Sequence, residues 1–148
     1  YHINADIAYG FIQYFLYHRD YAFLMEAGAE VIFETARIWL EIGHWYKESY
    51  HIDNVTGPDE YSAVVNNNFY TNAMAKYHLY WAHKLYNELS RYDEAAFQGL
   101  CQKLMLTQDE IKWMKRASDA MYLPYDEELG IHAQDDSFLH KAVWDFAA

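Results

Sequence analysis

Apolar residues recur at helical spacing through most of this chain, and that repetition limits its possible folds more than any other feature. Between about Ala5 and Tyr17 the pattern runs through Ile7, Phe11, Tyr14 and Phe15. Arg19-Asp20 interrupts it, and Asp20 is placed to cap a second helix from about Tyr21 to Ile42. There the spacing predicts a stripe of Phe23, Leu24, Ala27, Val31, Glu34, Ile38 and Trp39, with Gly28 weakening the middle by roughly 1 kcal/mol relative to Ala. A strong helix is predicted from about Phe69 to Ser90, with Tyr70, Met74, Tyr77, Trp81 and Leu85 on one face. A shorter one covers Asp93 to Leu104. Thr107-Gln108-Asp109-Glu110 is a capping box opening a further helix to about Ala120. Tyr50-His51-Ile52-Asp53 is a short extended candidate, and the chain turns irregular after Leu123-Pro124. Helices joined by loops in this way describe part of an all-α domain.

The 148 residues suffice for one domain with a real core. Lys and Arg number 11 against 22 Asp and Glu, a net charge of −11, which argues against a nucleic-acid or anionic-membrane surface. No apolar run approaches the length of a membrane span, and the first residues do not resemble a signal peptide. Cys101 has no second cysteine to pair with, so nothing indicates an oxidising compartment, and it reads as a buried or half-buried helix residue. Aromatic residues reach 19%, dominated by 15 Tyr. Such rings serve either as amphipathic packing or as platforms for sugar C–H faces.

Chemistry concentrates between the second and third helical patterns. Gly43 to Asn68 is irregular over about 25 residues, and loops that long inside a compact domain are usually functional. It contains a Gly57-Pro58 turn signal, then Asp59-Glu60-Tyr61, then Asn66-Asn67-Asn68. Adjacent carboxylates rarely point at one place. Glu60 has the longer reach and aromatic neighbours in Tyr61, Phe69 and Tyr70, which suits a general acid of raised pKa, with a solvated loop carboxylate as the plainer alternative. Asp59 suits bonding within the turn. Asn66, Asn67 and Asn68 can each donate to and accept from sugar hydroxyls, although at least one is expected to cap the helix at Phe69. His2 and Asp6 share a helix face if the helix begins by His2, where a hydrogen-bonded structural His is expected rather than a metal ligand; Glu34 and Arg37 form an intrahelical ion pair, and Asp135-Asp136 reads as a solvated loop pair. No zinc spacing, phosphate-binding glycine loop or nucleophile elbow occurs, so no metal site is expected.

Asn54-Val55-Thr56-Gly57-Pro58-Asp59-Glu60-Tyr61, followed by Asn66-Asn67-Asn68-Phe69-Tyr70-Thr71-Asn72 and Met74-Ala75-Lys76, resembles the catalytic-acid region of the glycoside hydrolase family 65 disaccharide phosphorylases. Tyr1 to Tyr9, Glu34-Thr35-Ala36-Arg37-Ile38-Trp39 and Gln134-Asp135-Asp136 with Phe138-Leu139 look like further blocks of that family, in its order. Many members carry His after the motif's Tyr. Ser62 stands there instead, and a hydroxyl residue at that place looks more like the maltose and trehalose phosphorylase branch.

The resemblance implies that residues 1–148 are a central segment of an (α/α)6-barrel catalytic domain whose flanking blocks lie outside the chain. It implies inverting phosphorolysis of an α-linked glucosyl disaccharide, maltose favoured, to β-glucose 1-phosphate and glucose. Glu60 is then the acid, and Asp59, Tyr61, Asn66, Asn67 and Asn68 shape the sugar pocket. No cofactor is implied; inorganic phosphate is a co-substrate whose binding residues lie downstream. Disaccharide and phosphate are the expected partners, in a cytoplasmic homodimer. A trehalase-like hydrolase of the same fold, or a segment inactive when isolated, are the rival expectations.

Overall fold

The computed structural model of the chain describes residues 1–59, 63–143 and 145–146. Helix α1, His2–His18, ends where Arg19 turns into the left-handed region and its N–H bonds Phe15 O. Asp20 then caps α2 as expected, its carboxylate accepting from Phe23 N at 2.9 Å. Helix α2 runs over residues 21–42 in three parts: α-helical at Tyr21–Phe23, π-helical at Leu24–Gly28 and α-helical again at Ala29–Ile42. Two antiparallel strands follow, β1 (Gly43–Tyr46) and β2 (Ser49–Ile52), in a register pairing Gly43 with Ile52. After the loop come α3 (Phe69–Tyr92), α4 (Glu94–Leu104) and α5 (Gln108–Ala120). A two-residue hairpin, β3 (Tyr125–Asp126) with β4 (Ile131–His132), and a 3₁₀ turn at Phe138–His140 complete the described chain.

Helix α3 is the axis of the packing and touches α1, α2, α4 and α5. Its buried face is broad, from Thr71 and Asn72 through His78 and Leu79 to Leu85 and Leu89. Around it Ile12, Phe15, Ile32, Phe33, Trp39 and Met114 are fully buried. Truncating one such aromatic to Ala costs about 3–5 kcal/mol.

Three expectations need correction. The buried face of α1 is Ala5, Ala8, Ile12 and Phe15, while Ile7 and Tyr14 are exposed. Small alanines let the first half of α1 approach its neighbours closely, and Ile12 and Phe15 fill the space further along. In α2 the buried residues are Leu24, Gly28, Ala29, Ile32, Phe33, Ala36 and Trp39; Leu24 and Trp39 are buried as expected, while Gly28 and Ile32 stand one position after the predicted Ala27 and Val31. The π turn, closed by Ala29 N to Leu24 O, inserts one residue, which moves the inward positions just after it by one. At Gly28 a Cβ would meet Leu24 Cδ1 at 3.1 Å and Phe11 Cδ1 at 3.4 Å, so a larger residue would require Leu24 to shift by a few tenths of an ångström. Finally, residues 43–52 are an ordered hairpin rather than irregular chain. Tyr50 fastens it to α2 by donating its hydroxyl to Trp39 O at 2.8 Å.

Arg37 does more than pair with Glu34 at 2.7 Å. Its guanidinium also grips Glu110 at 2.6 and 3.0 Å and donates to Leu104 O at 3.0 Å, tying α2 to the end of α4 and the start of α5. Glu110 is thereby drawn away from the reciprocal half of its capping box. Thr107 Oγ1 accepts from Glu110 N at 3.1 Å, but the Glu110 carboxylate faces Arg37. Among the described residues no helix is long and apolar enough to cross a membrane.

Candidate active site

The loop from Asp53 to Asn68 leaves β2 and returns to the first residue of α3. Val55 and Val65 exchange backbone hydrogen bonds at 3.0 and 2.8 Å, closing its base. Asn54, Val64 and Asn67 occupy the left-handed region at φ 56°, 57° and 51°. Asn tolerates that conformation; β-branched Val64 does so only under strain, of order 1–3 kcal/mol. Glu60 and Tyr61, the expected acid and its neighbour, lie outside the described residues, as does Ser62.

Asn68 caps α3, its Oδ1 accepting from Thr71 N and Thr71 Oγ1, both at 3.0 Å. Asn67 is held on three sides. Its backbone N–H donates to Ile52 O at 2.8 Å, its Oδ1 accepts from Asn72 Nδ2 at 3.2 Å, and its Nδ2 donates to Asp136 Oδ2 at 2.8 Å. Both residues are buried. Asn66 is exposed, with Oδ1 accepting from Asn54 N at 3.1 Å. Gly57 is packed beneath Asn68 so closely that a Cβ there would stand 2.5 Å from Nδ2. The amide run, Asn66 to Asn68, therefore binds the two arms of the loop to each other and to α3.

Residues 134–136 lie alongside the returning arm. Phe69 N donates to Gln134 O at 2.9 Å, and Asp136 N donates to Asn66 O at 3.2 Å. The Gln134 side chain reaches across to the outgoing arm, donating through Nε2 to Asp59 Oδ2 at 2.5 Å. Asp135, expected to be solvated, is buried; only Asp136 is exposed. Burial works against the Asp135 charge, but bonds from the Ser137 hydroxyl and N–H, with Lys141 at 3.6 Å, outweigh it and hold the carboxyl below its usual range. Asp135 thus shapes the turn that presents Gln134 and Asp136.

The start of α1 joins the same region. Tyr70 donates its hydroxyl to Asp6 Oδ1 at 2.8 Å, which raises the Tyr70 pKa, and the His2 ring meets Tyr70 edge-on at 5.9 Å. His51 stacks on Tyr122 at 4.7 Å, and Phe69 lies 4.5 Å from the His132 ring. Two segments remote in sequence, residues 2–6 and 134–136, therefore meet the loop's returning arm and the start of α3 at residues 66–72. The Glu34 to Trp39 block lies instead in the packing between helices. Gln134 is the residue whose part the sequence did not reveal; only its place in a family-like block marked it. Among the described residues no group of His, Cys, Asp or Glu is arranged to hold a metal ion.

A model of the glycosyl hydrolase family 65 central catalytic domain matches residues 1–148. The chain is 52% identical over 147 residues to an α,α-trehalose phosphorylase of Geobacillus stearothermophilus, covering 99% of the chain and 19% of that protein. It is 38% identical over 149 residues to a kojibiose phosphorylase of Halothermothrix orenii, again covering 99% of the chain and 19% of the relative. A solved structure described provisionally as a kojibiose phosphorylase from the human microbiome superposes with a TM-score of 0.79 at 27% identity, over 93% of the chain and 18% of its own. The chain thus spans about a fifth of the length of the proteins it matches. Its helices form part of a helical barrel of the (α/α)6 kind.

Proposed function

Because the chain belongs to glycosyl hydrolase family 65, we propose that its parent protein is an inverting disaccharide phosphorylase acting on α,α-trehalose, rather than on the maltose favoured by the motif. The observation that carries this reading is the 52% identity to a trehalose phosphorylase across 99% of the chain, against 38% to a kojibiose enzyme. The hydroxyl residue Ser62, which looks more like the maltose and trehalose branch, agrees with it.

In this reading Glu60 protonates the glycosidic oxygen while inorganic phosphate attacks the anomeric carbon from the opposite face. The C1–O bond to the departing glucose breaks as the C1–O bond to phosphate forms, and configuration inverts to β-glucose 1-phosphate. An inverting hydrolase needs a second carboxylate to activate water. Phosphate is already a nucleophile, so one acid suffices and no cofactor is required. Asn67, Asn68 and Asp59 serve the site through the loop they hold, and Asn66 meets a sugar hydroxyl in the same reading. The phosphate-binding residues, and the homodimeric cytoplasmic setting, belong to the parent protein in the same proposal.

The test is Glu60→Gln in the parent enzyme, with trehalose, maltose and kojibiose as donors and product followed with and without phosphate. Loss of the acid is expected to lower trehalose phosphorolysis by about 10²–10⁴-fold. Near-normal turnover would remove Glu60 from the mechanism. Equal glucose release without phosphate would identify a hydrolase instead.

A further inference from the structure

We propose that Gln134 is a positioning residue for the acid, holding the outgoing arm of the loop one residue before Glu60. The inference rests on the reading of Glu60 as the general acid. Gln134 is anchored at both ends: its carbonyl accepts from Phe69 N, the first residue of α3, at 2.9 Å, and its amide donates to the Asp59 carboxylate at 2.5 Å. It therefore relates the loop directly to the most deeply packed helix of the fold.

The surrounding contacts give that bridge its stiffness. The returning arm is fixed by the Asn68 cap, by Val65 paired with Val55, and by Asn67 Nδ2 on Asp136 Oδ2 at 2.8 Å. The outgoing arm has Gly57 packed beneath Asn68, and beyond Pro58 the Gln134 bond continues the restraint to Asp59. A hydrogen bond to a carboxylate is short and strongly directional. Displacing a loop by 1 Å at the wrong end of such a restraint moves an acid out of line with the oxygen it protonates.

The experiment uses the full-length parent enzyme and two donors. Trehalose needs its leaving oxygen protonated. α-Glucosyl fluoride does not: C1–F breaks and C1–O(phosphate) forms, with fluoride departing as the anion. Gln134→Glu sets carboxylate against carboxylate with almost unchanged shape; Gln134→Asn, which keeps the amide but is one methylene short, is the second variant should the first not fold. For whichever variant folds, kcat for trehalose should fall about 10–100-fold, while its KM and turnover of the fluoride stay within about threefold. Equal losses on both donors, or no loss on either, would overturn the positioning role. Glu60→Gln run in parallel separates the two claims. If it slows both donors alike, the acid reading fails and this inference with it. If it spares only the fluoride while the Gln134 variant does not discriminate, the positioning role alone falls.

Discussion

Between pH 7 and pH 5 the unfolded chain takes up a proton that one buried ring of the folded chain refuses. His78 lies on α3, fully buried against α2. Trp39 Nε1 can only donate, and it meets His78 Nδ1 at 3.0 Å, so that nitrogen must accept. The neutral ring then carries its hydrogen on Nε2, which donates to Ile32 O at 2.9 Å. Protonating Nδ1 sets two N–H donors against each other with no water to intervene. Burial lowers the His78 pKa from 6.5 to about 4, and the bond to Ile32 O opposes that shift only partly. The unfolded chain therefore binds more protons than the folded one between these values, and stability falls as pH falls. The contribution is fully present above about pH 6.5, has lost roughly 2 kcal/mol by pH 5, and has lost about 3 kcal/mol by pH 4. Urea unfolding followed by tryptophan fluorescence at pH 7 and pH 5 measures it, with His78→Gln as the control that cannot titrate. Carboxylates elsewhere, Asp135 among them, contribute equally to both proteins and cancel in the difference. The wild type should lose about 2 kcal/mol more than the variant over that interval. Equal pH dependence in the two, or an imidazole NMR titration centred near 6.5, would refute the reasoning.

Arg37→Lys keeps the charge but not the fork that spans Glu34, Glu110 and Leu104 O. It should cost about 1–3 kcal/mol in urea unfolding, since Lys cannot bond all three, and an unchanged midpoint would show the bridge to be incidental. Gly57→Ala places a methyl 2.5 Å from Asn68 Nδ2 and forces the cap aside. A loss of about 1–2 kcal/mol is expected by the same assay, together with slower turnover of the proposed substrate, trehalose, by the parent protein. Retention of both would mean the loop gives way without cost.

Helix boundaries were legible wherever the signal is local. Asp20, Asn68, Asp93 and Thr107 each accept a backbone N–H from their own first turn, so a few neighbouring residues suffice to announce them. The β1–β2 hairpin was half legible. Tyr50 to Ile52 looked extended, but the turn puts Lys47 at φ 54°, without the Gly or Asn that advertises such a turn. The buried face of α1 was misread because alanine counts little in a hydrophobic pattern yet governs how closely helices pack. Asp135 was misread because a buried carboxylate depends on partners, and Lys141 and the Ser137 hydroxyl become partners only once the chain has turned. The loop stood out by length and residue type. Its attachment to Gln134 did not, since the two sides, Asp59 and Gln134, are 75 residues apart and no local rule connects them.

The π turn at Leu24–Gly28 also bears on how relatives of this chain are compared. A single inserted residue inside a helix is absorbed as a bulge, and the chain on either side keeps its place in the barrel. A one-residue gap against this segment in a related protein would thus mark the loss of a bulge rather than a change of architecture. Residues on either side of that gap would still correspond in space, although a continuous helical count across it would pair the wrong faces.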